Sequence, residues 1–378
     1  MMLTSELDQL SRRFRRFAER EFPPTAPLYA ALSEKLADDT RPLALLLNAP
    51  PDQRWPTLFF AAVHYLLLRD SSDDLAAFFP DITTSPLPPT RAYPMFQRYC
   101  DEHAQELGEI FSTRTTQTNA VGRSAYLLPA LSLVEQTAGK PLALIDVGAS
   151  AGFNLLLDQY YYIYGENVVG DPQSPVQLQP ELRAAPPASL LALPRIQERL
   201  GIDINPIDVH DDDAILWLRA CIWPSHLRRI KLLEGAVQVA RSHPPPVIQG
   251  DALEILRAKA EEMPPNCALC IVHTSVLPYF SNADRVRWAR LLEELAQVRD
   301  YSLVFSEDLV IARLLMPTIP WAATHIGDDA QPLGLVQHAN GKRSEKLLAL
   351  SAPHGQWLDW REPKPASASP RQARRARS

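Results

Sequence analysis

A chain of 378 residues exceeds the size at which one hydrophobic core usually stops growing, and with 46% hydrophobic and 22% charged residues it has ordinary globular composition, so two packed units are expected and general disorder is excluded. The net charge of −6 argues against a nucleic-acid-binding protein, and four cysteines with a single CALC pair, lacking a second pair or histidine cluster, give neither a disulfide framework nor a zinc site. Prolines number 35 where average usage of about 5% gives roughly 19, and the 14 glycines fall short of average, so loops should be many and stiff.

Up to residue 139 the pattern is helical. Apolar stripes run over 3–17, 27–36, 57–69 and 98–111, and a loop at 80–94 holds Pro80, Pro86, Pro88, Pro89 and Pro94. The first stripe mixes Leu3, Leu7, Leu10, Phe14 and Phe17 with charges, unlike a secretory signal, and the apolar run at 57–68 is too short to cross a membrane and carries His64. A cytoplasmic protein without membrane attachment is expected. Residues 113–123 (TRTTQTNAVGR) are too rich in amide and hydroxyl groups for a plain connector. Gln117, Asn119 and Arg123 are candidates to cap a ligand pocket, which would make residues 1–139 a helical lid; a solvated loop is the alternative.

From residue 140 short apolar runs alternate with helical stretches, the pattern of parallel strands with crossover helices. Strands are expected at 142–147, 201–205, 246–249, 268–273 and 301–306, with helices starting at 153 and spanning 253–262 and 284–298. An antiparallel hairpin at 332–338 and 346–351, turning at Asn340 and Gly341, closes the sheet where a two-half dinucleotide fold would add another crossover. The expected α/β domain, residues 140–360, is a doubly wound, mostly parallel, seven-stranded sheet behind an N-terminal helical domain. An insertion at 160–195 is Tyr- and Pro-rich, and its YYYIYGENVVGDPQSPVQL reads as a hairpin. Residues 361–378 carry six Lys/Arg against one Glu and are expected to be a disordered basic tail, or an arm for RNA or another partner, which leaves −11 on the remainder.

LIDVGASAG at 144–152 runs a strand into a glycine turn and then a helix. Such a turn lets a ligand approach the backbone, and a helix N-terminus supplies free N–H groups. Gly148, Ser150 and Gly152 make the turn, and Asp146 stands in the strand before it. A carboxylate at the tip of the next strand accepts two ribose hydroxyls cleanly. Asp203 in GIDINP fits best; Asp208 and 211–213 compete, the latter better read as a capped helix start. Asp251 in QGDA ends the third strand and reads as a helix N-cap, a ligand contact, or both. The fourth strand ends in VHTSVLPYF, which places His273, Thr274, Ser275 and Tyr279 at the carboxyl rim where open α/β sheets bind ligands. His273 and Tyr279 are the catalytic candidates, His273 as general base or pocket lining. Glu307 and Asp308 end the fifth strand similarly.

This layout resembles the class I S-adenosylmethionine-dependent methyltransferases. The resemblance implies S-adenosylmethionine as cofactor, with its methionine end at Gly148, Ser150 and Gly152, its ammonium facing Asp146, its ribose on Asp203 and its adenine amine near Asp251. Ser150 stands where that pattern usually has glycine. The strings TQTNAVGR, LIDVGASAGFNLLLD, GDPQSP, WLRACIWP, QGDA, VHTSVLPY and HGQWLDW together resemble the bacterial family called domain of unknown function 2332, over about residues 14–360. That second resemblance bears on fold and extent more than on chemistry. A small-molecule acceptor is expected; no Asn/Asp-Pro-Pro-Tyr-like signature follows the fourth strand, so base methylation of nucleic acid is not. Two other readings compete. One is a ligand-binding protein of this fold without catalysis. The other is a serine hydrolase, because Gly148 to Gly152 also matches the G-x-S-x-G elbow, with Ser150 as nucleophile, Asp251 or Asp308 as acid and His325, His338 or His354 as base. The helical character before residue 140 and the lack of an upstream HGG segment weigh against the hydrolase.

Overall fold

A computed structural model describes residues 2–23, 25–117, 119–327 and 329–361. Of the basic tail expected at 361–378, all but Arg361 lies outside them. Helices α1 (Met2–Arg16), α2 (Pro27–Leu36), α3 (Thr40–Leu45), α4 (Pro56–Arg69), α5 (Tyr93–Glu102), α6 (Ala104–Thr113) and α7 (Ser124–Ala138) come first, and no strand precedes Leu142 among the described residues. Proline in the first turn presets the dihedrals of α2, α4 and α5, where its missing N–H costs nothing. The single stripe expected at 98–111 is divided between α5 and α6, because His103 leaves helical dihedrals (φ −106°, ψ 19°) and its ring lies 4.2 Å from that of Tyr99. Gly139, at φ 63°, ends α7 in the left-handed conformation that glycine adopts without steric cost.

The strands are β1 (Leu142–Val147), β2 (Tyr161–Tyr164), β3 (Asn167–Val169), β4 (Gln177–Leu178), β5 (Glu181–Ala184), β6 (Ile196–Asp203), β7 (Val247–Gln249), β8 (Ala268–Thr274), β9 (Tyr301–Ser306), β10 (Gln331–Ala339), β11 (Lys342–Ser351) and β12 (Trp357–Trp360). Among them run α8 (Asp212–Ala220), α9 (Leu227–Ser242), α10 (Ala252–Glu262), α11 (Asn282–Ala296) and α12 (Leu309–Leu315). Asp211, Asp251, Ser281 and Asp308 cap α8, α10, α11 and α12 by accepting backbone N–H groups of the first turn.

The described residues form two compact units, one of those up to Asn119 with Ile207–Val237 and one of Ala120–Pro206 with those from Gln238 onward. These bounds differ from a division at 139/140. Helix α7, buried from Ser124 to Ser132, packs on β8 and β9 and so belongs with the sheet. Helix α8 packs on α4 and contributes Trp217 and Ala220 to the helical unit's core. That core is dense in aromatic rings: Tyr29 stacks on Phe60 at 4.4 Å and 14°, Phe59 lies 5.2 Å from Phe111, and Trp217 meets Tyr65 edge-on at 5.6 Å. The Trp217 indole also donates to the Thr115 carbonyl at 2.9 Å.

In the second unit nine strands, not the expected seven, form one sheet in the order β5-β12-β11-β10-β9-β8-β1-β6-β7. The two additions are short: β12 extends the closing hairpin antiparallel to β11, and β5, from the 160–195 insertion, pairs parallel to β12 across a long sequence separation. The rest of the insertion contains the expected hairpin, β2–β3, with β4 beside it. Strands β7, β6, β1, β8 and β9 are parallel, and the chain order reverses at β1. A crevice at the carboxyl ends of strands where order reverses is where open α/β sheets place ligands. The helix expected from residue 153 is a 3₁₀ segment, Phe153–Gln159, interrupted at Leu156 (φ −102°, ψ 16°).

Because Trp217 ties residues 207–237 into the helical core, Trp217→Ala should lower the unfolding free energy by about 3–5 kcal/mol, the usual cost of truncating a buried large aromatic. Urea titration measures this. A loss below about 1 kcal/mol, the size of a surface change, would mean that α8 does not serve that core.

Candidate functional site

Side chains of adjacent parallel strands in register point to the same face, and alternate residues to opposite faces. Ala143, Ile145 and Val147 join the apolar cluster under α10 and α11, so Asp146 points to the other face. Register pairs Asp146 with Gly201 and Val272, and Thr274 with Ser306. Asp146, Asp203, Thr274 and Ser306 therefore share one face at the carboxyl ends of four neighbouring strands. His273, in register with Val147, is on the opposite face.

The turn after β1 holds three residues in the left-handed region: Gly148 (φ 73°), Ser150 (φ 53°) and Gly152 (φ 74°). Ser150 thus adopts the backbone for which glycine is favoured, so the serine departs from the pattern in composition and not in conformation. The turn is pinned by the Gly148 N–H on the Ile202 carbonyl at 2.8 Å and the Ser150 N–H on Asp203 Oδ2, also at 2.8 Å. At Gly152 the space expected for a ligand is filled by protein: a Cβ there would lie 2.6 Å from Pro245 Cγ and 2.9 Å from Val247 Cγ2. This glycine serves close packing of the turn against β7.

Asp146 is only 2% exposed, and its Oδ2 is buried without a hydrogen-bond partner. Burial foremost, and then the charge of Asp203, push its carboxyl up to about 7, against the opposing effects of the Arg123 guanidinium and a hydrogen bond from Asn154. Asp203 is half-buried at the tip of β6; its Oδ1 accepts the Asn205 N–H at 2.7 Å, while Oδ2 holds Ser150. Arg123 is buried and acts as a strut, donating to the Thr274 carbonyl at 2.9 Å, to Thr274 Oγ1 at 3.1 Å and to the Pro353 carbonyl at 3.0 Å. Tyr126, its phenol pushed up to about 12 mainly by burial, lies close enough to feel Arg123, Ser306, Glu307 and Asp146. Tyr126 and Asn154 had not been singled out in the sequence. Asn154 alone left a trace there, as an amide just after the turn in the otherwise apolar GFNLLL.

The other candidates fall elsewhere. Asp251 is exposed and caps α10, with Oδ1 2.9 Å from the Leu253 N–H. His273, near the carboxyl end of β8, is fully buried on the opposite face, its ring stacked on Phe305 (5.7 Å, 17°) and edge-on to Trp288 (5.5 Å). Its Nδ1 lies 2.7 Å from Glu307 Oε1, which also accepts the Val276 N–H at 2.9 Å, so this pair anchors the loop after β8. Tyr279 is 75% exposed. Gln117 and Asn119 belong to the first unit, where they line a cleft of about 10 Å³ with Cys221 and Arg229, whereas Arg123 belongs to the second.

The hydrolase triad does not assemble. Ser150 Oγ is buried with no hydrogen-bond partner, so no histidine serves it. His338 stands opposite Tyr301 at the amino end of β9, the far end of the sheet from this turn, and Asp251 and Asp308 cap helices. Among the described residues no group of three or more His, Cys, Asp or Glu is placed to hold a metal ion, and no helix is long and apolar enough to cross a membrane.

A carboxyl raised to about 7 keeps its proton in the folded protein while the unfolded chain, with an ordinary value near 3.9, loses it. Stability must then fall as pH rises from about 4 to 7, by up to about 4 kcal/mol, and stay low above. Asp146→Asn removes that dependence. At pH 8 the ligand-free variant should be more stable than the wild type, with the gap closing towards pH 4–5; urea unfolding across pH measures it, and a variant less stable at pH 8 would contradict the buried, unpaired carboxylate.

Residues 11–360 match the family described as "Uncharacterized protein conserved in bacteria (DUF2332)". No curated protein matches the chain. Among solved structures, the X-ray structure of the sugar N-methyltransferase KedS8 from Streptoalloteichus sp ATCC 53650 aligns with 60% of this chain and 71% of its own, at a TM-score of 0.23 and 11% identity, a likeness too slight to bear on chemistry. With the family match running from residue 11 to residue 360, the protein belongs to the DUF2332 family.

Proposed function

We propose that the protein is an S-adenosylmethionine-dependent methyltransferase of a small acceptor, with the cofactor at the carboxyl ends of β1 and β6. The observation that carries this reading is the unpartnered, buried Oδ2 of Asp146 at the point where strand order reverses, beside the half-exposed carboxylate of Asp203. A buried carboxyl that lacks a partner suits a cationic donor, which would ionise it and restore the interaction it misses. Asp146, oriented by Asn154, would receive the ammonium of the methionine moiety. Asp203 keeps lone pairs beyond those holding Ser150 and Asn205, and these would accept the ribose hydroxyls. Asp251, exposed at the end of β7, would meet the adenine edge while still capping α10. When bound, S-adenosylmethionine supplies a methyl group activated by its sulfonium.

His273 is enclosed by Phe305 and Trp288 on the other face, so this reading gives it no part in proton transfer and assigns catalysis to positioning of the acceptor. The second reading, a protein that binds the nucleoside and transfers nothing, rests on the same geometry and is favoured by the burial of His273 on the opposite face.

Calorimetry with S-adenosylhomocysteine tests the proposal. The wild type should bind one equivalent. Asp146→Asn should weaken binding about 10- to 150-fold, the worth of a hydrogen bond to a charged group. Asp203→Ala should weaken it similarly and, because the turn loses its clamp, also lower apo stability. No heat at millimolar ligand would overturn the proposal. Binding without methyl transfer to any acceptor in a metabolite extract would select the non-catalytic reading.

A further inference from the structure

The first unit carries a groove of about 290 Å³ that plays no part in the site above. It is walled by Pro86, Leu87, Pro88 and Pro224 and floored by Tyr29 and Phe78, and no charged side chain lines it. The walls are fixed before anything binds. Proline locks φ, seen at Pro88 (φ −58°), the Leu87 N–H donates to the Ala77 carbonyl at 2.9 Å, and the Ser225 hydroxyl on the opposite wall donates to the Thr25 carbonyl at 2.6 Å. The floor is equally set, since the Tyr29 ring lies flat on Phe60. Leu87 nevertheless remains 41% exposed at the mouth. A preformed apolar cleft avoids the ordering cost that weakens binding to flexible surfaces.

We propose that this groove binds an uncharged, apolar small molecule of one or two planar ring systems. Its volume of about 290 Å³ lies just below the range of about 300–1,000 Å³ typical of ligand clefts. A charged ligand would lose hydration and find no counter-charge. A peptide that adds as a β-strand needs N–H donors along the edge that receives it, and the prolines of this wall have none to give. Flat proline faces match a planar ring.

The probe pair is N-phenyl-1-naphthylamine and its sulfonated counterpart, 8-anilinonaphthalene-1-sulfonate, which share their rings and differ in charge. The uncharged probe should bind one per chain, with fluorescence enhancement at least tenfold tighter in Kd than the sulfonate. Leu87→Glu, which charges the wall, and Leu87→Trp, which fills the groove, should each weaken it at least tenfold with an unchanged urea midpoint, whereas Val310→Glu, at an exposed position of the other unit, should change nothing. Equal affinity for both probes, or binding indifferent to both Leu87 variants, would overturn the proposal. So would loss of probe binding as protein concentration rises, because a second copy would then be the occupant.

Discussion

Two carboxylates share one face at the ends of β1 and β6, and the electrostatic cost of bringing them together governs the site. Asp203 must stay there, because it accepts the Ser150 N–H and holds the left-handed turn. Asp146 must bear the consequence: buried, and within the field of Asp203, it keeps its proton near neutrality in spite of Arg123. An arrangement that costs stability in the free protein and would be relieved by a cation is the kind of local conflict that folds tolerate where they bind something.

The same strand geometry separates what serves this site from what does not. Alternation along β8 sends Thr274 towards Asp146 and His273 towards Trp288. Thr274 receives Arg123, which thereby links the start of α7 to the end of β8. His273 and Glu307 instead hold the loop after β8 from the opposite side. One strand end thus carries both a polar residue facing Asp146 and a buried structural pair.

Much of the sheet was legible because β1, β8 and β9 are buried on both faces, which leaves uninterrupted apolar runs, and the β10–β11 hairpin announces itself by Asn340 and Gly341. Strands β5 and β12 were not legible: each is four residues long, and their pairing joins positions far apart in the chain. Helix α8 was readable as a helix but not as part of the N-terminal core, since an apolar face does not say which core receives it. Gly152 shows a deeper ambiguity. Glycine is required equally where a ligand approaches and where Pro245 and Val247 do, and the sequence is the same in both cases. For His273 the information was present in the two-residue period of β8, and placement at a strand end obscured it.

Amide hydrogen exchange with and without S-adenosylhomocysteine tests the location of the site most directly. The account predicts slowed exchange in peptides covering residues 144–154 and 201–206, the turn after β1 and the tip of β6, with little change across β10 and β11. Saturating ligand that leaves those two segments unprotected, or that protects only segments elsewhere, would contradict it.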